Sequence, residues 1–143
     1  MTSLFGFQSR FPGERSCWNF QIKARWPDGF KCPTCHSKGD LLKKRKVFEC
    51  RSCSKQTSAT AGTVFHKSRI ELRKWFWEIF LMATSNKSVS ALYLQKQLGI
   101  GSYRAAWLMM QKIRQAMIQR DSQYKLSGTV EADEIHIGGK QSL

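Results

Sequence analysis

"KCPTCHSKGDLLKKRKVFECRSC", residues 31–53, decides the fold of the front of this chain. Cys32 and Cys35 frame two residues, fourteen residues follow, and Cys50 and Cys53 frame two more. Twin CxxC pairs at this separation lie at or just below the usual spacing of a four-thiolate zinc site. Zn²⁺ takes four sulfurs tetrahedrally and brings no redox chemistry, so two tight cysteine turns suit it. The competing readings are two disulfides or unrelated free thiols, and a reducing compartment disfavours the first. Between the pairs, "DLLKKRKVFEC" reads as a short hairpin turning near Arg45 and Lys46, which makes a zinc ribbon the expected form. Cys17, beside Trp18, has no cysteine near it in sequence and reads as a small core residue. His36 abuts Cys35, but four thiolates already satisfy the metal, and it is left out of the site.

The composition points to a polyanionic partner. Lys and Arg number 24 against 10 Asp and Glu, giving a net charge of +14 and a pI near 10.0 over 143 residues. The charge is uneven: net +2 over residues 1–30, +9 over 31–74, +5 over 75–125 and −2 over 126–143. The basic middle is the expected nucleic-acid face, with Lys43, Lys44, Arg45 and Lys46 in the hairpin turn as phosphate contacts. The N-terminus has no basic and apolar leader pattern, and "WFWEIFLMA" at 75–83 is broken by Glu78 and too short to span a bilayer. A soluble, cytoplasmic, nucleoid-associated protein with no membrane partner is the expectation.

Residues 68–84 read as an amphipathic helix, with Ser68 and Glu71 as a capping box and an apolar stripe through Leu72, Trp75, Phe76, Ile79, Phe80 and Ala83. Trp77 lies off the stripe, where partial burial against a neighbour is expected. Helix-turn-helix logic follows. Ser88 or Ser90 caps a short helix containing Leu92, Leu94 and Leu98; Gly99 ends it, Ile100 is an apolar plug, and Ser102 caps a longer helix. That second helix buries Ala106, Met109, Met110, Ile113 and Met117 and offers Tyr103, Arg104, Trp107, Gln111, Arg114 and Gln115 on its other side. In a helix-turn-helix the start of the second helix meets base edges, so Ser102, Tyr103, Arg104, Gln111 and Arg114 are the candidate DNA contacts. A plain helical hairpin with a solvated basic face is the competing reading.

Taken in order, "RWPDGFKCPTC" (25–35), "ECRSCSKQTSATAGTVFHKS" (49–68), "LGIGSYRAAWLMMQKIRQAM" (98–117) and "GTVEADEIHIGG" (128–139) resemble the front of the zinc-ribbon DDE transposases of bacterial insertion sequences. The resemblance runs from about Phe11 onward. It implies a small zinc-ribbon β module, then an all-α helix-turn-helix domain, then a C-terminal stub of the first strand of an RNase-H-like domain. The expected divisions are a helical lead-in over 1–27, the ribbon over 28–66, the helical domain over 67–126 and the start of the nuclease domain over 127–143. Asp133 matches the first metal-binding aspartate of that nuclease.

The parent reaction implied is Mg²⁺-dependent DNA cleavage and strand transfer at transposon ends, in which two divalent ions about 4 Å apart need further carboxylates from later strands. Past Asp133 the sequence offers Glu134 alone, so a truncated, catalytically incompetent DNA-binding portion is expected, with structural zinc as its own cofactor and Mg²⁺ belonging to the full-length parent. Its implied partners are double-stranded DNA at transposon ends and a second copy or full-length transposase. A free-standing zinc-ribbon/helix-turn-helix regulator and a zinc-ribbon protein-interaction module are the rival functions.

Overall fold

The computed structural model describes residues 3–85 and 88–123; Asp133 and the acidic strand expected over 127–143 lie outside the described residues. Two helices lead: α1 (Leu4–Arg10), capped by the Ser3 hydroxyl accepting from Gly6 N–H at 3.1 Å, and α2 (Glu14–Arg25). A three-stranded antiparallel sheet follows in the order β1 (Gly39–Leu42), β2 (Val47–Cys50) and β3 (Gln56–Ser58). Three helices complete the described chain: α3 (Leu72–Thr84), α4 (Ala91–Leu98) and α5 (Tyr103–Asp121).

The expected hairpin is β1–β2, with Leu42 opposite Val47 and the basic residues 43–46 forming the turn. Lys46 closes that turn at φ +53, a left-handed conformation that Lys adopts at some cost. The third strand pairs Phe48 with Thr57 and is not anticipated by the sequence pattern. β2 alternates, burying Phe48 and Cys50 between half-buried Val47 and Glu49. Phe30 stacks flat on Phe48, centroids 4.8 Å apart, and Trp26 meets both rings edge-on at 4.9 and 5.0 Å. Gly39 is required here, since a Cβ would strike the Glu49 carbonyl oxygen and the Phe30 ring at 2.8 Å.

α2 serves two cores. Its Ile22 and the following Trp26 pack on the ribbon's Phe30, Cys32, Phe48 and Cys50. Its Cys17, fully buried as expected of a core cysteine, joins Phe7, Phe11, Phe65, Trp75, Phe76, Met109 and Ile113 in the larger helical core. Hydrogen bonds fasten the helix further: Gln21 donates to the Ala59 carbonyl at 3.3 Å, and the Arg25 guanidinium donates to the carbonyls of Ser58, Ala59 and Ala61.

The start of α3 corrects the sequence reading. The helix begins at Leu72, and Ser68 caps nothing: its hydroxyl accepts from Ile70 N–H at 3.1 Å and from the Trp75 indole at 2.9 Å. Glu71 holds the N-cap position without a side-chain bond. The carboxylate of Glu14, from α2, supplies the cap instead, accepting from Leu72 N–H at 2.9 Å and Arg73 N–H at 2.8 Å. The same carboxylate accepts from the Trp18 indole at 3.1 Å. A local capping box is outcompeted by a charge that is distant in sequence and satisfies two orphan donors at a positive helix end.

The buried face of α3 also differs from the expected stripe. Leu72, Trp75 and Phe76 are buried, Ile79 and Phe80 half-buried, and Ala83 exposed, while Glu78 is fully buried. The shift arises because the helix is packed from two sides. Phe7 of α1 stacks on Phe80 at 4.5 Å and meets Trp77 at 4.7 Å, so Trp77 is half-buried as expected, while Leu81 and Met82 turn toward Ala91, Leu94 and Met110 of α4 and α5. No helix among the described residues is long and apolar enough to cross a membrane.

Candidate metal centre and nucleic-acid face

The two cysteine turns are built alike. His36 N–H donates to the Cys32 carbonyl at 3.0 Å, and Ser54 N–H donates to the Cys50 carbonyl at 3.0 Å. Cys32 N–H reaches the Ser37 carbonyl at 2.9 Å as Cys50 N–H reaches that of Lys55 at 3.0 Å. Each turn is completed by a left-handed residue, His36 at φ +57 and Ser54 at φ +55, directly after its second cysteine. Thr34 N–H and Ser52 N–H point at the Cys32 and Cys50 sulfurs, 3.5 and 3.4 Å away. Donors aimed at sulfur favour the thiolate, the form a metal requires.

The four sulfurs lie within 4.8 Å of one another, with Cys32–Cys53 at 3.5 Å, Cys35–Cys50 at 3.3 Å and Cys35–Cys53 at 3.6 Å. A tetrahedral Zn–S₄ site with bonds of about 2.3 Å has sulfur edges of about 3.8 Å. The donor set therefore fits zinc in number, type and spacing. Its electrostatics agree. The Ser37 backbone N–H, then the Ser37 hydroxyl, hold the Cys35 thiol down to about 6, and the backbone N–H groups of Cys35 and Thr34 lower Cys32. The Lys55 backbone N–H also lowers Cys53, but the crowding sulfurs of Cys32 and Cys50 outweigh it and push that thiol up to about 12. Four adjacent thiols resist losing every proton unless a cation sits among them. All five cysteines are unbridged, so the disulfide alternative is not the one the fold adopts.

The candidate DNA residues fall into two groups. Lys43, Lys44, Arg45 and Lys46 are exposed in the hairpin turn, which leans on α2: the Lys46 ammonium lies 5.4 Å from the centre of the Trp18 ring. The second group lies on α5, which rests on α3 and α4. α4 is capped by Ser90, whose hydroxyl accepts from Tyr93 N–H at 3.2 Å, and is closed by Gly99 at φ +57. Ile100 is buried as the plug, and the chain re-enters helix at Tyr103. Ser102 occupies the cap position, but its hydroxyl makes no capping bond and stays exposed. Ala106, Met109, Met110 and Ile113 are buried and Met117 packs against the core, as the periodicity predicts. Tyr103, Arg104, Trp107 and Arg114 are exposed and Gln111 half-exposed. Tyr103, Trp107, Gln111 and Arg114 follow one another at helical spacing and line one stripe.

Residues 12–56 match the family model described as the transposase zinc-ribbon domain. The ribbon is related to those of transposases. The matched segment starts ahead of α2, which agrees with the packing of Ile22 and Trp26 into the ribbon core. Over 131 residues, 89% of this chain, the sequence is 28% identical to "Uncharacterized protein in transposable element ISH50" of Halobacterium salinarum. The chain spans 43% of that relative's length. No solved structure matches. With the cysteine cluster, these matches support a transposase-related role and a structural zinc ion.

Sequence reasoning missed the exposed basic residues between the ribbon and α3. His66, Lys67 and Arg69 lie in a segment without periodicity, and the loop that orients them is set by tertiary contacts. A signal is nonetheless present: "TVFHKSR" interleaves buried-type Phe65 with basic residues.

Proposed function

We propose that this chain is the DNA-binding portion of an insertion-sequence transposase, in which zinc organises the ribbon and α5 meets the duplex at transposon ends. The observation that carries the reading is α5 itself. It follows a tight helix–turn–helix connection, buries its apolar stripe on α3 and α4, and leaves Arg104 exposed at its N-terminal end with Trp107, Gln111 and Arg114 beyond it. Helix starts held in this way read base edges in the major groove, while flanking cations fix the backbone. Cys32, Cys35, Cys50 and Cys53 would hold Zn²⁺, whose contribution is to fasten two turns that have little core of their own. Asp133 keeps its proposed identity as the first carboxylate of a nuclease domain by resemblance alone.

A second reading is favoured by one observation. Tyr103, Trp107, Leu108 and Ile118 of α5 are 53%, 42%, 44% and 62% exposed, large apolar side chains of the kind that a protein partner or a second copy of the chain covers. The experiment that separates the two is binding of zinc-loaded protein to the terminal repeats flanking its own gene and to random duplex. Arg104→Ala should cost on the order of 1 to 3 kcal/mol on the terminal repeat and little on random DNA, if Arg104 grips a guanine. Lys43, Lys44 and Lys46 changed to Ala together should weaken both duplexes alike. Equal losses from Arg104→Ala on both duplexes would remove the base-reading role, and absence of DNA affinity would leave the protein-docking reading.

A further inference from the structure

The segment joining the ribbon to α3 is short of regular structure yet tightly tied. Thr63 hydroxyl donates to the Thr60 carbonyl at 2.7 Å, Phe65 N–H donates to the Thr63 hydroxyl at 3.3 Å, and His66 N–H donates to the Thr63 carbonyl at 3.0 Å. Phe65 is buried, with its ring 5.4 Å from that of Trp75 and 5.9 Å from that of Phe76. Ser68 is clamped by the Ile70 N–H and the Trp75 indole. Between these anchors the backbone turns left-handed at Lys67, φ +55. A lysine held there without a glycine's freedom is a cost that the surrounding contacts absorb, and such outliers are concentrated where a side chain must be aimed.

What the loop aims outward is basic. His66, Lys67 and Arg69 are exposed, and neither Lys67 nor Arg69 has an ion-pair or hydrogen-bond partner among the described residues. The Gly62 N–H donates to His66 Nδ1 at 3.2 Å, which assigns the ring's N–H to Nε2. From α5, Lys112 reaches across to the loop, donating to the His66 carbonyl at 3.4 Å with its ammonium 6.0 Å from the centre of the Trp75 ring. Two clefts flank Lys112. One, of about 260 Å³, has Lys67 and Arg69 on the loop side and Ala105 and Leu108 on the helix side. The other, of about 590 Å³, has His66 and Thr63 opposite Gln115 and Gln119. The first is shared with the α5 turn that follows Arg104.

We propose that the loop carrying His66, Lys67 and Arg69, together with Lys112 of α5, is a preformed phosphate-binding wall for the backbone of the DNA strand that α5 engages. The inference rests on the DNA-binding role of α5 and adds a second element that grips the duplex. The ligand is the phosphodiester backbone, because the groups on offer are cations and N–H donors without a carboxylate among the cleft residues. A preformed cradle loses less conformational freedom on binding than lysines on a mobile tail. The grip is blind to sequence, since phosphates carry none.

The test is the salt dependence of binding to the terminal repeat and to random duplex, followed by anisotropy with the zinc-loaded chain. Removing the cation that neutralises one phosphate lowers the slope of log K against log salt by about 0.9. Lys67→Gln/Arg69→Gln should therefore flatten the slope by roughly 2, and adding Lys112→Gln should bring the change to roughly 3. The preference for the terminal repeat over random duplex should stay unchanged, and Lys67→Arg should retain the parental slope. The double variant touches side chains without bonds in the fold, so an unaltered melting curve shows that folding is intact. A parental slope in the folded double variant overturns the proposal, as does a change in preference without a change in slope. If the parent chain itself binds no DNA, the role of α5 fails and the wall fails with it; if the parent binds and only the variant's slope is unmoved, the wall alone is wrong.

Discussion

Removing the Glu14 carboxylate should loosen the joint between ribbon and helical core more than any change at the apparent cap of α3. Glu14→Ala deletes the acceptor for Leu72 N–H and Arg73 N–H and frees the Trp18 indole. The Arg73 donor is exposed and can turn to water, so its loss costs little; the Leu72 donor is part-buried, and stranding it costs about 1 to 3 kcal/mol. Loss of a negative charge at the helix start adds about 0.3 to 1 kcal/mol. The expected total is about 1 to 4 kcal/mol, which at this chain length lowers Tm by roughly 4 to 20 °C. Thermal unfolding of zinc-loaded protein at neutral pH, followed by circular dichroism, measures it. Glu71→Ala, at the cap position but unbonded, should cost under about 0.5 kcal/mol. A neutral Glu14→Ala, or equal costs for the two variants, would refute the assignment of the cap to Glu14.

Three further outcomes follow from particular residues. Metal analysis of freshly purified, reduced protein should find one zinc per chain, and Ser in place of Cys32, Cys35, Cys50 or Cys53 should remove both the metal and the ribbon's share of the signal in circular dichroism. Glu78 is fully buried, neither carboxylate oxygen has a hydrogen-bond partner, and burial raises its pKa from 4.5 to about 7. The folded state holds that proton where the unfolded state has released it, so stability should fall as pH rises from 4.5 to about 7, by roughly 3 kcal/mol in all. Glu78→Gln should therefore gain on the parent as pH rises from 4.5 to about 7 in zinc-loaded protein, and a constant difference between the two across that window would show that Glu78 does not titrate there. Gly39→Ala should destabilise the ribbon by about 1 to 3 kcal/mol or prevent zinc uptake, because the added Cβ meets the Glu49 backbone oxygen rather than a yielding side chain; unchanged zinc affinity and melting would show that the sheet gives way there.

Legibility followed the range of the interactions. The cysteine spacing was readable because each turn is closed by bonds within a few residues of its own pair. α5 was readable because its 3.6-residue stripe rests on one side of a core, so Ala106, Met109, Met110 and Ile113 are where periodicity places them. α3 was half readable. Packed by α1 on one side and by α4 and α5 on the other, it buries Glu78 and exposes Ala83, which a single stripe does not anticipate. Its start misleads since Ser68 and Glu71 satisfy a local rule, while the carboxylate that caps it comes from Glu14. β3 escaped because three residues, Gln56–Ser58, carry too little pattern, and they exist as a strand only through pairing with β2. The loop at 60–69 escaped for a related reason: its order comes from Phe65 entering the helical core and from Trp75 holding Ser68.

Engagement of transposon-end DNA through α5 and its basic surroundings is what the proposed role of this zinc-ribbon protein stands on. A competition titration of the zinc-loaded chain against the terminal repeat of its own element and a shuffled duplex of equal length, repeated across salt concentration, measures that engagement. Tighter binding to the terminal repeat is expected at every salt concentration, with affinity on both duplexes falling steeply as salt rises. Equal affinity for the two duplexes, or affinity indifferent to salt, would contradict it.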